Sequence, residues 1–360
     1  MKVSILGDGL VSLTLAKTLV NEGIFVDLIY NKEAKYINRN RTIGMTKTNI
    51  FFFNKNILDI SKLLWRIDKI EIFLEKFLNK KIIDFNDNNK QLFSMIKNYE
   101  LYELLNNNLK KNKFFKRKKI SIDKSFKKNV CDIIINCDQN NLITKKFFHN
   151  NSKKNYQSIS YVSAIKHKKI SQNNVACQIF TKFGPIAFLP ISKFETSIVY
   201  SVKKKHKLTK VDIIDLIKKY NPKYSIVKIE KVESFELYSS NLRNYYHNNI
   251  MAFGDLLHRI HPLAGQGFNM TIRDIKQLKQ IIDERLNLGL EINHSIYSDF
   301  EKKSKHKNYL FSSGINFIYE FFELENKTQN EKLGKLIQLF GKNKFLNNFF
   351  RKIADNGILT

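Results

Sequence analysis

Glycine residues interrupt the apolar N-terminal run at a spacing that suits phosphate binding. Residues 7–12 read GDGLVS, a G-x-G-x-x-G pattern with Ser12 in the last place. Gly7 permits a tight turn, Gly9 lets the backbone approach a pyrophosphate, and the small Ser12 allows a helix to pack closely on a strand. The helix that follows presents free N–H groups to an anion. By itself the pattern is also consistent with an ordinary glycine turn.

The elements around this turn read as a strand, a turn and a helix. Residues 3–6 are apolar, and from Leu10 to Val20 apolar residues recur at helical spacing. Gly23 suits a left-handed helix C-terminus, and residues 24–30 predict a second strand. A carboxylate at the end of that strand normally binds the ribose of a dinucleotide. Tyr30 and Asn31 occupy that place, so Glu33, slightly beyond, is only a fallback for the ribose contact.

A second group of small and polar residues lies far downstream. Residues 254–269 read GDLLHRIHPLAGQGFN, directly after the apolar residues 250–253. A strand would deliver Asp255 to a turn, where a carboxylate can accept hydrogen bonds from hydroxyl groups. Residues 262–267 then form a small-residue loop that leads into a helix, so the backbone can pass close to a flat ring. The helix dipole can stabilise negative charge on that ring.

This downstream segment resembles the FAD-dependent aromatic hydroxylases, most closely their ubiquinone-biosynthesis branch. The motif of that branch reads G-D-A-A-H, two residues, then H-P-x-A-G-Q-G-x-N, and nearly every specified position is present. The resemblance implies that Pro262, Gly265 and Gln266 lie beside the reacting face of the flavin. It also implies a set of residues that bind FAD, namely Gly7, Gly9, Ser12, Arg41, Gly254, Asp255, Ala264, Gly265, Gln266, Gly267 and Asn269.

Weaker similarities and departures concern the rest of the chain. Residues 40–44, NRTIG, resemble the D-x-R-T-x-A-L stretch of the family, in which the arginine approaches the flavin; a surface arginine is the alternative for Arg41. The middle A-D-G motif of the family is replaced by Cys137, Asp138 and Gln139, so its glycine is lost. That motif is associated with FAD and NAD(P)H, so binding of a reduced nicotinamide is expected less firmly than binding of flavin.

The remaining pattern predicts an α/β fold, α+β overall. A Rossmann-like FAD-binding βαβ domain is interleaved with an antiparallel-sheet substrate domain and followed by C-terminal helices. Strands are predicted at residues 65–73, 131–137, 158–166, 175–183, 186–190 and 196–202, and helices at residues 97–109, 210–220 and from Gln266 onward. We expect residues 1–150 and 240–290 to form the discontinuous FAD-binding domain, residues 151–239 the substrate domain, and residues 291–360 a helical region.

Composition bounds the class of protein. The formal charge is +29, but lysines are spread over the chain and no nucleic-acid module is recognisable, which favours a solvated basic surface and makes nucleic acid an unlikely partner. Three cysteines cannot form a disulfide framework. His258 and His261 lack a third ligand at suitable spacing, so no metal site is expected. These features fit a cytoplasmic location, at the inner face of the membrane if the substrate is a lipid.

The resemblance implies a FAD-dependent monooxygenase that hydroxylates a polyprenyl phenol in ubiquinone biosynthesis through a flavin C4a-hydroperoxide. NAD(P)H would be the electron donor, O2 the co-substrate, and a hydrophobic aromatic molecule the substrate. Residues 309–322 form an aromatic stretch that could contact a membrane or a biosynthetic complex, although core packing is the favoured explanation. Two other classes stay open: a catalytically weakened FAD-binding accessory protein of the same pathway and, more remotely, a basic nucleic-acid-binding protein.

Overall fold

Three β-sheets and the helices around them make up the computed structural model, which describes residues 1–31, 39–75, 83–86, 91–120, 133–260 and 266–328. The described strands are β1 (Lys2–Leu6), β2 (Phe25–Tyr30), β3 (Thr42–Thr46), β4 (Trp65–Ile67), β5 (Lys69–Leu74), β6 (Ile83–Asn86), β7 (Phe93–Lys97), β8 (Phe115–Lys119), β9 (Ile133–Asn136), β10 (Asn151–His167), β11 (Val175–Thr181), β12 (Gly184–Pro190), β13 (Glu195–Lys203), β14 (Ile226–Ile229), β15 (Glu233–Leu242), β16 (Tyr246–His247), β17 (Ile250–Ala252) and β18 (His258–Arg259). The described helices are α1 (Leu10–Asn21), α2 (Lys47–Asn56), α3 (Asn98–Lys110), α4 (Leu142–Phe147), α5 (Lys210–Lys219), α6 (Gln266–Asn287) and α7 (Ile296–Thr328).

The first sheet carries the N-terminal glycine turn. Its strand order is β16-β17-β9-β1-β2-β8, and all neighbours are parallel except β16 and β17. All four side chains of β9 are buried, as expected for a central parallel strand with helices on both faces. Helix α1 is buried along most of its length and packs against α3 and α6. The βαβ start predicted from the sequence is confirmed, with Gly23 at φ +75° after the helix.

The second sheet is mostly antiparallel. Its strand order is β18-β15-β10-β13-β12-β11-β5-β6, with β14 pairing to β10, and the one parallel pair joins β11 to β5. Strand β10 is long enough to pair with β13, β14 and β15. Helix α5 covers one face, where Ile213 and Ile217 pack in a separate apolar core. The other face is available to a site.

The chain alternates between the sheets, which confirms the interleaved α/β fold. β5 and β6 belong to the second sheet although they precede β8 and β9 of the first. The predicted strand at residues 65–73 is therefore two strands: β4 pairs with β7 in a small third sheet, and β5 begins after Asp68. Helix α2 was not predicted, because three consecutive phenylalanines obscure its periodicity; Phe51 is exposed while Phe52 and Phe53 are buried.

Helices α6 and α7 end the described chain. Helix α6 is amphipathic and buries a row of isoleucines and Leu278, and α7 packs against it. The aromatic stretch predicted at residues 309–322 is buried in part: Phe311 packs in the core, whereas Tyr309 and Phe317 are 55% and 68% exposed. Contact of this stretch with a membrane or a complex stays a prediction. Among the helices that the structure describes, none combines the length and the apolar character needed to cross a membrane.

Candidate functional site

A cavity of about 670 Å³ brings together most of the residues predicted to bind a cofactor. Its lining comes from the glycine turn, from the segment before β3, from the turn after β17, from the start of α6 and from one face of the second sheet. Six predicted residues line it, namely Gly7, Gly9, Ser12, Arg41, Asp255 and Gly267. Segments more than 200 residues apart in the chain therefore form one site.

The glycine turn leaves room for a ligand on its outer side. Gly7 has φ +112°, and a Cβ there would lie 3.2 Å from Ser12 Oγ and 3.3 Å from Asp138, so a side chain would be both strained and crowded. Gly9 is the N-cap residue of α1, no side chain caps the helix, and a Cβ at Gly9 would meet nothing within 4 Å. The backbone N–H groups of the first helical turn are thus available to an anion.

The turn after β17 packs directly on the glycine turn. Gly254 has φ +67°, and a Cβ there would lie 2.5 Å from Val11 Cγ1. Asp255 follows and is exposed within the cavity. Its backbone oxygen accepts a hydrogen bond from Gln139 Nε2 at 3.1 Å, while its carboxylate has no recorded partner in the part of the chain that the structure describes. A free carboxylate can accept hydrogen bonds from ligand hydroxyl groups.

The start of α6 presents small and unpaired groups. A Cβ at Gly267 would meet nothing within 4 Å, and Gln266 is 7% exposed, with an Oε1 atom that has no hydrogen-bond partner among the described residues. Asn269 differs, because both of its side-chain polar atoms bond to protein atoms and it does not line the cavity. Its contact with a cofactor stays a prediction. Pro262, Ala264 and Gly265 lie outside the described residues.

Arg41 adds a cation to the lining of the cavity. It directly precedes β3, its side chain is exposed, and the backbone oxygen accepts from the N–H of Asn98 at 3.0 Å. Its guanidinium has no recorded partner within the described ranges, so it can neutralise negative charge on a bound group. Arg41 is exposed and also lines this cavity, so its contact with a cofactor stays a prediction.

The altered middle motif is also part of the site. Cys137, Asp138 and Gln139 line the cavity after β9. The Asp138 carboxylate accepts a hydrogen bond from the N–H of Asn140 at 2.8 Å. Burial raises the pKa of the Cys137 thiol to about 12, so the thiol stays neutral between Ser12 and the two aspartates. Gln139 stands where the family has a glycine, and its side-chain amide donates to the backbone oxygen of Asp255.

The face of the second sheet was not assigned from the sequence. It contributes an apolar wall to the cavity, formed by Val162, Ala187, Leu189, Val199, Phe235 and Leu237. The sequence does show which residues share a face of this sheet, because residues two apart on a strand point to the same side. Alternation does not show which face of a sheet meets a cavity. At the edge of this wall, Arg259 of β18 donates to the hydroxyl of Tyr238 of β15 at 2.5 Å.

His258, considered from the sequence as half of a metal pair, has another contact. Its Nε2 lies 2.5 Å from Asp274 Oδ2, with side chains 1% and 2% exposed, and Asn308 donates to Asp274 Oδ1 at 2.8 Å. This network joins β18 to α6 and α7. Within the described ranges there is no cluster of three or more His, Cys, Asp or Glu that could bind a metal; His261 lies outside them.

Comparison with known proteins agrees with this site. Residues 150–295 match the family model FAD_binding_3, described as a FAD binding domain. The chain is 24% identical over 209 residues to the ubiquinone biosynthesis monooxygenase COQ6 of Danio rerio, covering 47% of this chain and 43% of the relative. It is 28% identical over 152 residues to the 3-demethoxyubiquinol 3-hydroxylase of Escherichia coli, covering 40% and 39%. The chain thus spans less than half the length of these two relatives.

Solved structures share the fold over nearly the whole chain. The p-nitrophenol 4-monooxygenase PnpA of Pseudomonas putida DLL-E4 gives a TM-score of 0.79 at 10% identity, covering 97% of this chain and 96% of that one. HpxO of Klebsiella pneumoniae, solved with FAD and uric acid, gives 0.74 at 12% identity, covering 100% and 97%. At such identities the likeness shows the fold alone. The sequence matches confirm the resemblance to FAD-dependent aromatic hydroxylases seen in residues 254–269.

Proposed function

We propose that this protein is a FAD-dependent monooxygenase that hydroxylates the ring of a polyprenyl phenol in ubiquinone biosynthesis. The observation that carries the proposal is one cavity that joins the glycine turn, Asp255 and Gly267 to the apolar wall of the second sheet. The names of the relatives support a substrate of this pathway, since they are a ubiquinone biosynthesis monooxygenase and a 3-demethoxyubiquinol 3-hydroxylase.

The residues of the cavity fit FAD. Gly9 and Gly267 leave open space where a Cβ would otherwise stand, which gives a long flat ligand close access to backbone. The first turn of α1 can bind a pyrophosphate, and the free carboxylate of Asp255 can accept hydrogen bonds from a ribityl chain. Gln266, next to Gly267 but not part of the cavity lining, has an Oε1 atom without a hydrogen-bond partner among the described residues, and we include it in the FAD site by resemblance. Bound FAD would supply the activation of O2.

The chain itself would orient the substrate and exclude water. The apolar wall, with Ala187, Leu189 and Val199 at its centre, suits an aromatic ring that carries no charge. Tyr238 and Arg259 supply polar groups at the edge of this wall, where they can bind a phenol oxygen. We assign Pro262, Gly265 and Gln266 to the reacting side by resemblance, as proposals.

NAD(P)H is the proposed electron donor. The altered middle motif is relevant here, because Gln139 replaces the glycine and bonds to the backbone of Asp255. That observation favours a second candidate function, a FAD-binding accessory protein of the same pathway with weak or no turnover.

A surface contact with a membrane would bring the enzyme to a polyprenylated substrate. We propose that Tyr309 and Phe317, exposed on α7, make this contact. Co-sedimentation with vesicles that contain anionic lipid tests it: a double variant, Tyr309→Ser with Phe317→Ser, should sediment less than the unaltered protein. Equal sedimentation of the two would contradict the proposed contact.

Turnover distinguishes the two functions. Protein loaded with FAD is incubated with NADH or NADPH, O2 and a short-chain prenyl phenol, and the product is identified by mass spectrometry. A product heavier by one oxygen atom, taken from 18O2, supports the monooxygenase. Bound FAD with no substrate-dependent NAD(P)H oxidation favours the accessory protein instead.

A further inference from the structure

A partly buried ion pair joins the glycine turn to β8. Asp8, the residue between Gly7 and Gly9, pairs through Oδ2 with the guanidinium of Arg117 from β8, and its side chain is 4% exposed. Tyr102 of α3 donates to Asp8 Oδ1 at 3.3 Å. The Arg117 guanidinium also lies over the ring of Tyr30, 4.8 Å from its centroid, at the end of β2. Neither Asp8 nor Arg117 was singled out from the sequence.

This ion pair lies next to Tyr30, at the end of β2; the fallback residue for the ribose contact, Glu33, lies outside the described residues. A dinucleotide-binding chain normally has its ribose carboxylate at the end of β2, and here that position holds Tyr30. Arg117 reaches from β8 across the end of β2 to the turn after β1, since β2 lies between these two strands. The structure thus brings a carboxylate from the glycine turn to the place next to Tyr30.

The Asp8 carboxylate retains acceptor capacity. It lines the cavity together with Tyr102, and an ionised carboxylate has about four acceptor positions, of which Tyr102 and Arg117 use two. Burial, together with the charge of Asp8, raises the pKa of the Tyr102 phenol. Tyr102 therefore stays a neutral donor that orients the carboxylate without competing for a ligand hydroxyl.

We propose that Asp8 is the ribose-binding carboxylate of this protein and accepts a hydrogen bond from a hydroxyl of the adenosine ribose of FAD, in place of the missing carboxylate after β2. This inference rests on the proposed binding of FAD. Under this proposal, a residue of the phosphate-binding turn itself recognises the adenosine ribose.

Arg117 makes this position compatible with a pyrophosphate. A carboxylate in the anion-binding turn would repel the phosphates unless a cation neutralised it, because charges interact strongly in a partly buried site. Burial alone would lower the pKa of Arg117, but the charge of Asp8 raises it, so the guanidinium keeps its positive charge. Arg117 is accordingly a positioning residue that acts through Asp8.

The test measures how each protein discriminates between FAD and FAD analogues whose adenosine lacks the 2′ or the 3′ hydroxyl, by quenching of flavin fluorescence. The unaltered protein should bind FAD about tenfold more tightly than at least one analogue, the order expected for a hydrogen bond to a charged group. In Asp8→Ala this ratio should fall close to one. The ratio compares two ligands on the same protein, so a general weakening of the fold does not change it.

Asp8→Asn is the second variant, should Asp8→Ala fail to fold, and its ratio should lie below that of the unaltered protein, because its amide oxygen accepts a hydrogen bond but carries no charge. An unchanged ratio in either variant overturns the assignment, as does a folded variant that binds none of the three flavins, because Asp8 would then be structural. Lack of discrimination by an unaltered protein that binds FAD overturns it too. Failure of the unaltered protein to bind FAD at all would instead contradict the proposed function.

Arg117 has its own test. Arg117→Gln should weaken FAD binding by about tenfold or more, since it leaves a buried charge beside the pyrophosphate, and the double variant with Asp8→Asn should recover part of that loss. Lys116→Gln is the matched control on the same strand, where an exposed cation is removed, and should bind FAD nearly as the unaltered protein does. Equal losses in Arg117→Gln and the double variant would overturn the neutralising function of Arg117.

Discussion

Asn269 donates from Nδ2 to the backbone oxygen of Gly44 at 2.8 Å and accepts at Oδ1 from the backbone N–H of Thr46 at 3.1 Å. Asn49 adds a third bond, from Nδ2 to Asn269 Oδ1 at 2.9 Å. One buried amide therefore fixes the first turn of α6 against β3. Because Gly267 precedes this amide and Arg41 precedes β3, the same amide sets the distance between two walls of the cavity.

Replacing Asn269 with Ala should destabilise the protein by about 1–3 kcal/mol, because buried backbone groups of Gly44 and Thr46 lose their partner. Chemical denaturation measures the change. Asn287→Ala, at the exposed end of the same helix, is the control and should change the free energy of unfolding by less than about 0.5 kcal/mol. Similar effects of both substitutions would show that the amide does not hold the two segments together.

The contact between Gly254 and Val11 predicts a second difference between paired variants. Gly254→Ala should cost about 1–2 kcal/mol for the left-handed backbone and a further ~1–3 kcal/mol for the close approach to Val11. Gly289→Ala has nearly the same φ, +65°, with nothing within 4 Å of the added Cβ, so it should show the first cost alone. If Gly254→Ala and Gly289→Ala lose the same free energy of unfolding, the added Cβ at Gly254 does not clash with Val11, which contradicts the close packing of the two turns.

The buried His258–Asp274 pair predicts a large effect of removing one carboxylate. Asp274→Ala leaves His258 and Asn308 without their partner in a nearly inaccessible site and should cost about 2–4 kcal/mol. Asp283→Ala, on the same helix, breaks an ion pair with Lys279 at a side chain that is 36% exposed and should cost less than about 0.5 kcal/mol. A small loss in Asp274→Ala would mean that the network contributes little to the fold.

Alkaline pH should destabilise the folded state in part through Tyr224. Burial raises the pKa of its phenol to about 12, above the ordinary value near 10. Between these values the unfolded chain loses the proton while the folded chain keeps it, so the free energy of unfolding falls as pH rises. Tyr224→Phe should make that fall less steep between about pH 10 and pH 12. Tyr309→Phe, at an exposed position, should leave the slope unchanged; identical slopes in all three proteins would contradict the attribution.

Local patterns predicted much of this structure. The glycine turn, the helix after it and the buried strand at residues 133–136 follow from turn residues and hydrophobic periodicity, which act over short distances. The split at Asp68 could not be predicted, because β4 and β5 are consecutive in the chain but find partners in different sheets. The strand with which each of them pairs depends on packing between distant parts of the chain, and the sequence of one strand does not contain that information.

Only the part of the site that stands in local motifs was predicted from the sequence. Gly7, Asp255 and Gly267 stand in motifs, whereas the Asp8–Arg117 pair joins residues 109 positions apart without any local signal. The domain division also stays a prediction, since β5 and β6 lie within residues 1–150 but pair in the second sheet.

The absorption spectrum of the gently purified protein, followed by titration with FAD, tests the central claim most directly. We predict flavin bands that co-purify with the protein or saturable binding of FAD to the colourless protein, and weaker binding in Asp255→Asn than in the control Asp215→Asn, which alters an exposed carboxylate of α5. A protein that carries no flavin and binds no added FAD would contradict the account.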